Sequence, residues 1–182
     1  MELKKKKLIS VGRLHFQKNY ESLISMFSIV HKRFPDWELE IYGDGSDRKK
    51  LQNQIDALGL TETCLLKGNT KHVKEALLDA SCFVLSSLWE GMPLLMIEAM
   101  TCGLPIISYD CQSGPSDLIK NGENGYLIPC GDETAFALKI MALIENDSLR
   151  IKLGIGAKAR SELYATERIM SIWQDLFESL YS

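Results

Sequence analysis

Short apolar runs alternate along this chain with longer segments in which apolar positions recur every three or four residues. Runs of the first kind read as strands of a sheet covered on both faces, the second as amphipathic helices. Residues 7–11 predict the first strand, and residues 20–34 the first helix, with Leu23, Phe27, Val30 and Phe34 on one face. Residues 37–42 and 64–67 predict the next strands, separated by a helix over 47–58 that Gly59 stops. A short helix over 73–80 leads to an apolar strand over 82–85, a helix over 93–101 and a strand over 106–108. After a last strand at 126–128, Asp132 caps a helix running to 144, and a further helix covers 147–163. The tail, 165–181, aligns Ile169, Ile172, Trp173, Leu176 and Leu180 on one apolar face. Strand and helix alternate without repeats or low-complexity linkers. This predicts a doubly wound, mainly parallel, Rossmann-like α/β sheet of about six strands in a single domain over 1–182.

The stretch from Cys82 to Ser108 carries the most chemistry. Its strand opens into a polar loop ending Glu90-Gly91-Met92-Pro93. Pro93 suits a first helical turn, where its missing N–H costs nothing. No Ser, Thr, Asp or Asn stands immediately before it. The first amides of that helix, near Met92 and Leu94, are therefore left for an anion, unless the Glu90 carboxylate caps them itself. Glu98 falls mid-helix in an apolar sequence, about two turns on. There it reads as a buried carboxylate that needs hydrogen-bond donors.

Glycines mark the other strand exits. Gly12 allows a sharp turn after the first strand, and Arg13 and Lys18 place two cations on the loop that follows. Taken alone, that pair fits solvated surface charge better than phosphate binding. Gly43-Asp44-Gly45 and Gly68-Asn69-Thr70 close the second and third strands. Beyond Ser108, Gly114 allows close backbone approach, while Ser116 and Asp117 fit an ordinary helix start.

The stretch SLWEGMPLLMIEAMTCGLPII, with its Glu90-x7-Glu98 spacing, resembles the signature of retaining glycosyltransferases of family 4 in the GT-B architecture. VGRLHFQKN resembles the same family's diphosphate loop. The likeness covers nearly the whole chain from Lys7 onward, but only the carboxyl-terminal, donor-binding half of such an enzyme. It implies transfer of a hexosyl group from a nucleoside diphosphate sugar to a hydroxyl acceptor with retention, in polysaccharide, lipopolysaccharide or glycolipid synthesis. Since UDP-sugars are the family's commonest donors, UDP comes first. By resemblance Arg13 and Lys18 hold the diphosphate, Glu90 the sugar hydroxyls and Glu98 the ribose. Gly12, Gly43, Gly45, Gly68, Gly91, Met92, Pro93 and Leu94 line the nucleotide, with the base near residues 67–73. No cofactor and no metal is implied, the basic pair taking the metal's place. The implied partner is a missing amino-terminal acceptor domain, toward which 165–182 would pack unless it folds onto its own domain. Through that domain the full enzyme would associate peripherally with the inner face of the membrane. The alternative is a nucleotide-sugar binding module without transfer activity of its own.

Composition narrows the field. At 182 residues, 46% hydrophobic and 25% charged, the chain supports one proper core. A net charge of −3 gives no reason to expect nucleic acid. No apolar run approaches the roughly 20 residues of a membrane span, and Lys4–Lys7 precedes too short an apolar run for a secretory leader. The five cysteines, without metal-ligand spacing, read as reduced thiols of a cytoplasmic protein.

Overall fold

A computed structural model describes residues 3–181; Met1, Glu2 and Ser182, within the expected domain bounds, lie outside the described residues. Six parallel strands form one sheet in the order β3-β2-β1-β4-β5-β6. These are β1 (Lys7–Val11), β2 (Glu38–Tyr42), β3 (Cys64–Gly68), β4 (Cys82–Leu85), β5 (Ile106–Tyr109) and β6 (Gly125–Ile128). The helices are α1 (Tyr20–Arg33), α2 (Arg48–Ala57), α3 (Val73–Leu78), α4 (Leu94–Thr101), α5 (Pro115–Leu118), α6 (Glu133–Glu145), α7 (Asp147–Ser161) and α8 (Thr166–Tyr181).

The alternation of Cβ directions along a strand explains why the central runs are wholly apolar. On β1 and β4, Leu8 and Val84 enter a core shared with α1, α2 and α6, whereas Ile9, Phe83 and Leu85 enter a second core under α3 and α4. A Schellman motif ends α4: Gly103 (φ +79°) donates its N–H to Met100 O and Leu104 to Ala99 O. Asp132 caps α6 by accepting from the Ala135 amide, as its position before the helix requires. The five cysteines are free; Cys64, Cys82 and Cys111 are buried and Cys130 is exposed. Burial pushes the Cys111 thiol up to about 11.

Several expectations change. Pro93 stands at the N-cap with ψ 83°, one residue ahead of the helix it was expected to begin, because α4 winds only from Leu94. Glu98 is exposed rather than buried: α4 keeps one solvent strip of Leu94, Glu98 and Thr101, and only Met96, Ala99 and Met100 are fully buried. The 147–163 helix stops at Ser161 and tightens to a 3-10 turn over Glu162–Tyr164. The tail does not fold back onto its own domain. None of the α8 residues is buried, and Trp173 and Phe177 are about half exposed. Among the described residues no helix is long and apolar enough to cross a membrane.

Candidate functional site

Strand order reverses between β1 and β4, whose direct successors β2 and β5 lie on opposite sides. The carboxyl ends of the two strands therefore open a crevice, the usual ligand position in such sheets. The loops leaving them are knit together. Leu88 donates its amide to Gln17 O (2.9 Å), and the Gln17 carboxamide donates to Trp89 O (2.8 Å). The Ser86 hydroxyl lies 2.8 Å from Lys18 O and 3.1 Å from Asn19 O.

Backbone also stitches the first three strand exits. Gly12 donates to Tyr42 O (2.9 Å), Leu14 to Asp44 O (3.0 Å) and Gly43 to Gly68 O (2.8 Å). Gly43 adopts φ +133°, and a Cβ there would meet Gly12 O at 2.0 Å. A Cβ on Gly45 would meet Leu14 O at 2.3 Å. Gly12 does not use a left-handed conformation; its φ is not positive. What it provides is room, since a Cβ there would sit 2.9 Å from the Tyr20 hydroxyl and 3.0 Å from Lys18 Cε. That phenol is buried beneath Gly12 without a well-aligned hydrogen bond, and burial pushes its pKa far above the ordinary value.

Two clefts flank the end of β1. One, of about 350 Å³, lies between Gly12, Arg13, Tyr42, Gly43, Asn69 and Thr70. The other, of about 310 Å³, lies between Arg13, Lys18, Glu90 and the start of α4 at Met92, Pro93 and Leu94. Val11, Gly12 and Arg13 belong to both. Arg13 is exposed, and among the described residues no group hydrogen-bonds its guanidinium. Lys18 is engaged: its ammonium lies 2.6 Å from Glu90 Oε1, and only 8% of the Glu90 side chain is exposed. The same oxygen accepts from the Ser87 hydroxyl at 2.6 Å. Glu90 thus does not cap α4, and no side chain does. His15 serves the loop, its Nδ1 accepting from the Gln17 amide.

The structure brings Gly12, Arg13, Lys18, Glu90, Met92, Pro93 and Leu94 together, with Gly43 across the β1 exit. Gly45 faces a separate depression beside Arg48, and Gly68 supports Gly43 from behind. Gly91 is exposed; its carbonyl abuts Gly114, where a Cβ would lie 2.3 Å away. Glu98 lies one turn beyond Leu94, in a depression of about 210 Å³ with Lys74 and Cys102, outside the two clefts. Sequence reasoning missed Ser86 and Ser87, both fully buried. The only signal was the Ser87-x-x-Glu90 spacing in a loop with no helix for it to cap. It also undervalued the loop after β5, where Gln112 O accepts the Glu90 amide (3.2 Å). Among the described residues no three His, Cys, Asp or Glu side chains gather as a metal cluster. A free guanidinium, uncapped amides and a held carboxylate suit an anion joined to a polyol.

Residues 2–160 match the family model of glycosyl transferases group 1. The chain is 36% identical over 172 residues to a poly(ribitol-phosphate) alpha-N-acetylglucosaminyltransferase of Staphylococcus aureus, covering 93% of this chain and 34% of that protein. It superposes with a TM-score of 0.90, at 34% identity, on a mutant of S. aureus TarM in complex with fondaparinux, alpha-GlcNAc-glycerol and UDP. That match covers 95% of this chain and 35% of the other. The pneumococcal O-GlcNAc transferase GtfA, in complex with UDP and GlcNAc, matches at TM-score 0.88 and 27% identity over 97% of this chain and 36% of its own. The chain spans about half or less of the length of such relatives.

Proposed function

The chain belongs to the glycosyl transferases group 1 and has the Rossmann-like fold of a GT-B carboxyl-terminal domain, and on that premise we propose that it is the donor-binding half of a retaining, family 4 enzyme. The enzyme moves a hexosyl group from a UDP-sugar to a hydroxyl acceptor during polysaccharide, lipopolysaccharide or glycolipid synthesis. The observation carrying this reading is the exposed Arg13 guanidinium, without a hydrogen-bond partner among the described residues, at the junction of two clefts. On this reading the cleft between Gly12, Tyr42, Gly43 and Asn69 takes the nucleoside, and the cleft beside Glu90 takes the sugar. Relatives with UDP bound in solved structures support it.

In the proposed mechanism, the bond from the anomeric carbon to the β-phosphate oxygen breaks as the acceptor hydroxyl attacks from the same face and passes its proton to that departing phosphate oxygen. Negative charge grows on the departing diphosphate, where Arg13, Lys18 and the first amides of α4 stabilise it. No divalent ion is needed for that. Glu90 holds the sugar hydroxyls. The ribose hydroxyls are assigned to Glu98 by the family resemblance alone, its side chain lying outside both clefts. The acceptor site belongs to an amino-terminal domain, on which the apolar face of α8 packs. The full enzyme works on the cytoplasmic side, at the membrane face. Because the chain spans half or less of its relatives, alone it acts as a binding module without transfer.

A thermal-shift panel of UDP, GDP and ADP, each with and without a hexose attached, tests the proposal. UDP and its sugars are expected to raise the melting temperature most, since a ligand at 100 times its Kd adds about 2.7 kcal/mol. No shift with any nucleotide would overturn it.

A further inference from the structure

Glu90 is anchored at one oxygen only. Oε1 receives both the Lys18 ammonium and the Ser87 hydroxyl, each at 2.6 Å, while Oε2 has no hydrogen-bond partner among the described residues. The backbone around it is fixed from three sides: Glu90 N to Gln112 O, Leu88 N to Gln17 O, and the Gln17 carboxamide to Trp89 O. Gly114 closes the fourth, packed against Gly91 O and Pro93 so tightly that a Cβ would lie 2.3 and 2.5 Å from them. With its backbone set, the one freedom left to Glu90 is its side-chain rotamer, and the two donors on Oε1 decide it.

Those donors differ in what can take them away. The Lys18 ammonium is mobile on a long stem, and a diphosphate, with more negative charge than one carboxylate, competes for it directly. Ser87 is fully buried at the exit of β4, out of reach of such competition. Its neighbour Ser86 binds the Lys18 and Asn19 carbonyls, so the two serines divide the work. One fixes the main chain that carries the cation; the other fixes the carboxylate head. We propose that Ser87 is a positioning residue of the donor site: it keeps Oε1 of Glu90 in place when a diphosphate draws Lys18 away, so that Oε2 stays presented to a sugar hydroxyl. The inference rests on the donor-binding reading above.

Calorimetric titration of UDP, UDP-glucose and UDP-N-acetylglucosamine into the wild-type chain, Ser87→Ala, Glu90→Gln and the double variant tests it. Ser87→Ala is expected to leave UDP affinity within about two-fold and to cut the extra affinity for the better UDP-sugar by about ten-fold or more, the loss expected for a hydrogen bond to a charged group. Ser87→Cys, similar in size and a weaker donor, is expected to fall between. In the Glu90→Gln background, Ser87→Ala should have no further effect on that increment, because Ser87 acts through Glu90. Equal losses for UDP and UDP-sugar, or losses that add in the double variant, would overturn the inference and leave donor binding standing. A wild-type chain that binds UDP-sugar no better than UDP would likewise overturn the inference alone, whereas one that binds none of the three ligands would remove both.

Discussion

Gly43 and Gly59 both have positive φ, +133° and +69°, but only Gly43 has main chain where its side chain would go. Around Gly59 nothing lies within 4 Å. Gly59→Ala therefore meets backbone strain alone, about 1 kcal/mol. Gly43→Ala must also push the Gly12 carbonyl aside and is expected to cost at least about 3 kcal/mol. By calorimetry that is a fall of roughly 6–12 °C in Tm for Gly43→Ala and only 2–4 °C for Gly59→Ala. Equal falls would show that the strand exits are not as tightly stacked as described. This scale was only partly legible in the sequence. That glycines stood at Gly12, Gly43 and Gly45 was plain, but whether each answers to dihedral angle or to space depends on the neighbouring loop. Ser87 was hidden for a related reason: its partner Glu90 could be named, but only the fold of the 86–93 loop turns the two side chains together. Glu98 was misjudged as buried because eight mostly apolar residues do not reveal which strip of a helix stays uncovered.

Elements were far more legible. Each of the six strands lies within two residues of its expected bounds, since a run apolar on both faces has few other readings. Helix ends slipped where the stop is tertiary, as at Ser161, where the chain tightens into Glu162–Tyr164. The α8 pattern predicted an apolar face correctly but could not say what it faces. Because α8 buries none of its residues, deleting 166–182 is expected to leave the melting temperature of the remaining domain within about 2 °C. The same deletion should reduce concentration-dependent self-association in sedimentation, as it removes exposed Trp173, Leu176, Phe177 and Leu180. Loss of a cooperative transition in the shortened chain would mean that α8 does contribute to this fold. A cut within α7 should behave quite differently, because buried Arg150 ties that helix to Leu3 O and Leu143 O.

At the scale of the whole molecule, the parallel order β3-β2-β1-β4-β5-β6 creates the crevice, and the sequence motifs decorate it. Alternation of strand and helix was enough to expect such a sheet, and connection rules leave few orders open. Arg13, Lys18 and Glu90 meet there because the loops after β1 and β4 come together at the reversal, whereas Gly45 and Glu98 lie apart. The central claim is that this crevice holds a nucleoside diphosphate through Arg13. The most direct measurement is calorimetric titration of UDP and of uridine into the wild-type chain and Arg13→Ala. A guanidinium bonded to phosphate oxygens contributes about 1.5–3 kcal/mol. UDP affinity should therefore fall at least about ten-fold in Arg13→Ala while uridine affinity stays unchanged. Equal losses for the two ligands, or unchanged UDP binding, would contradict the account.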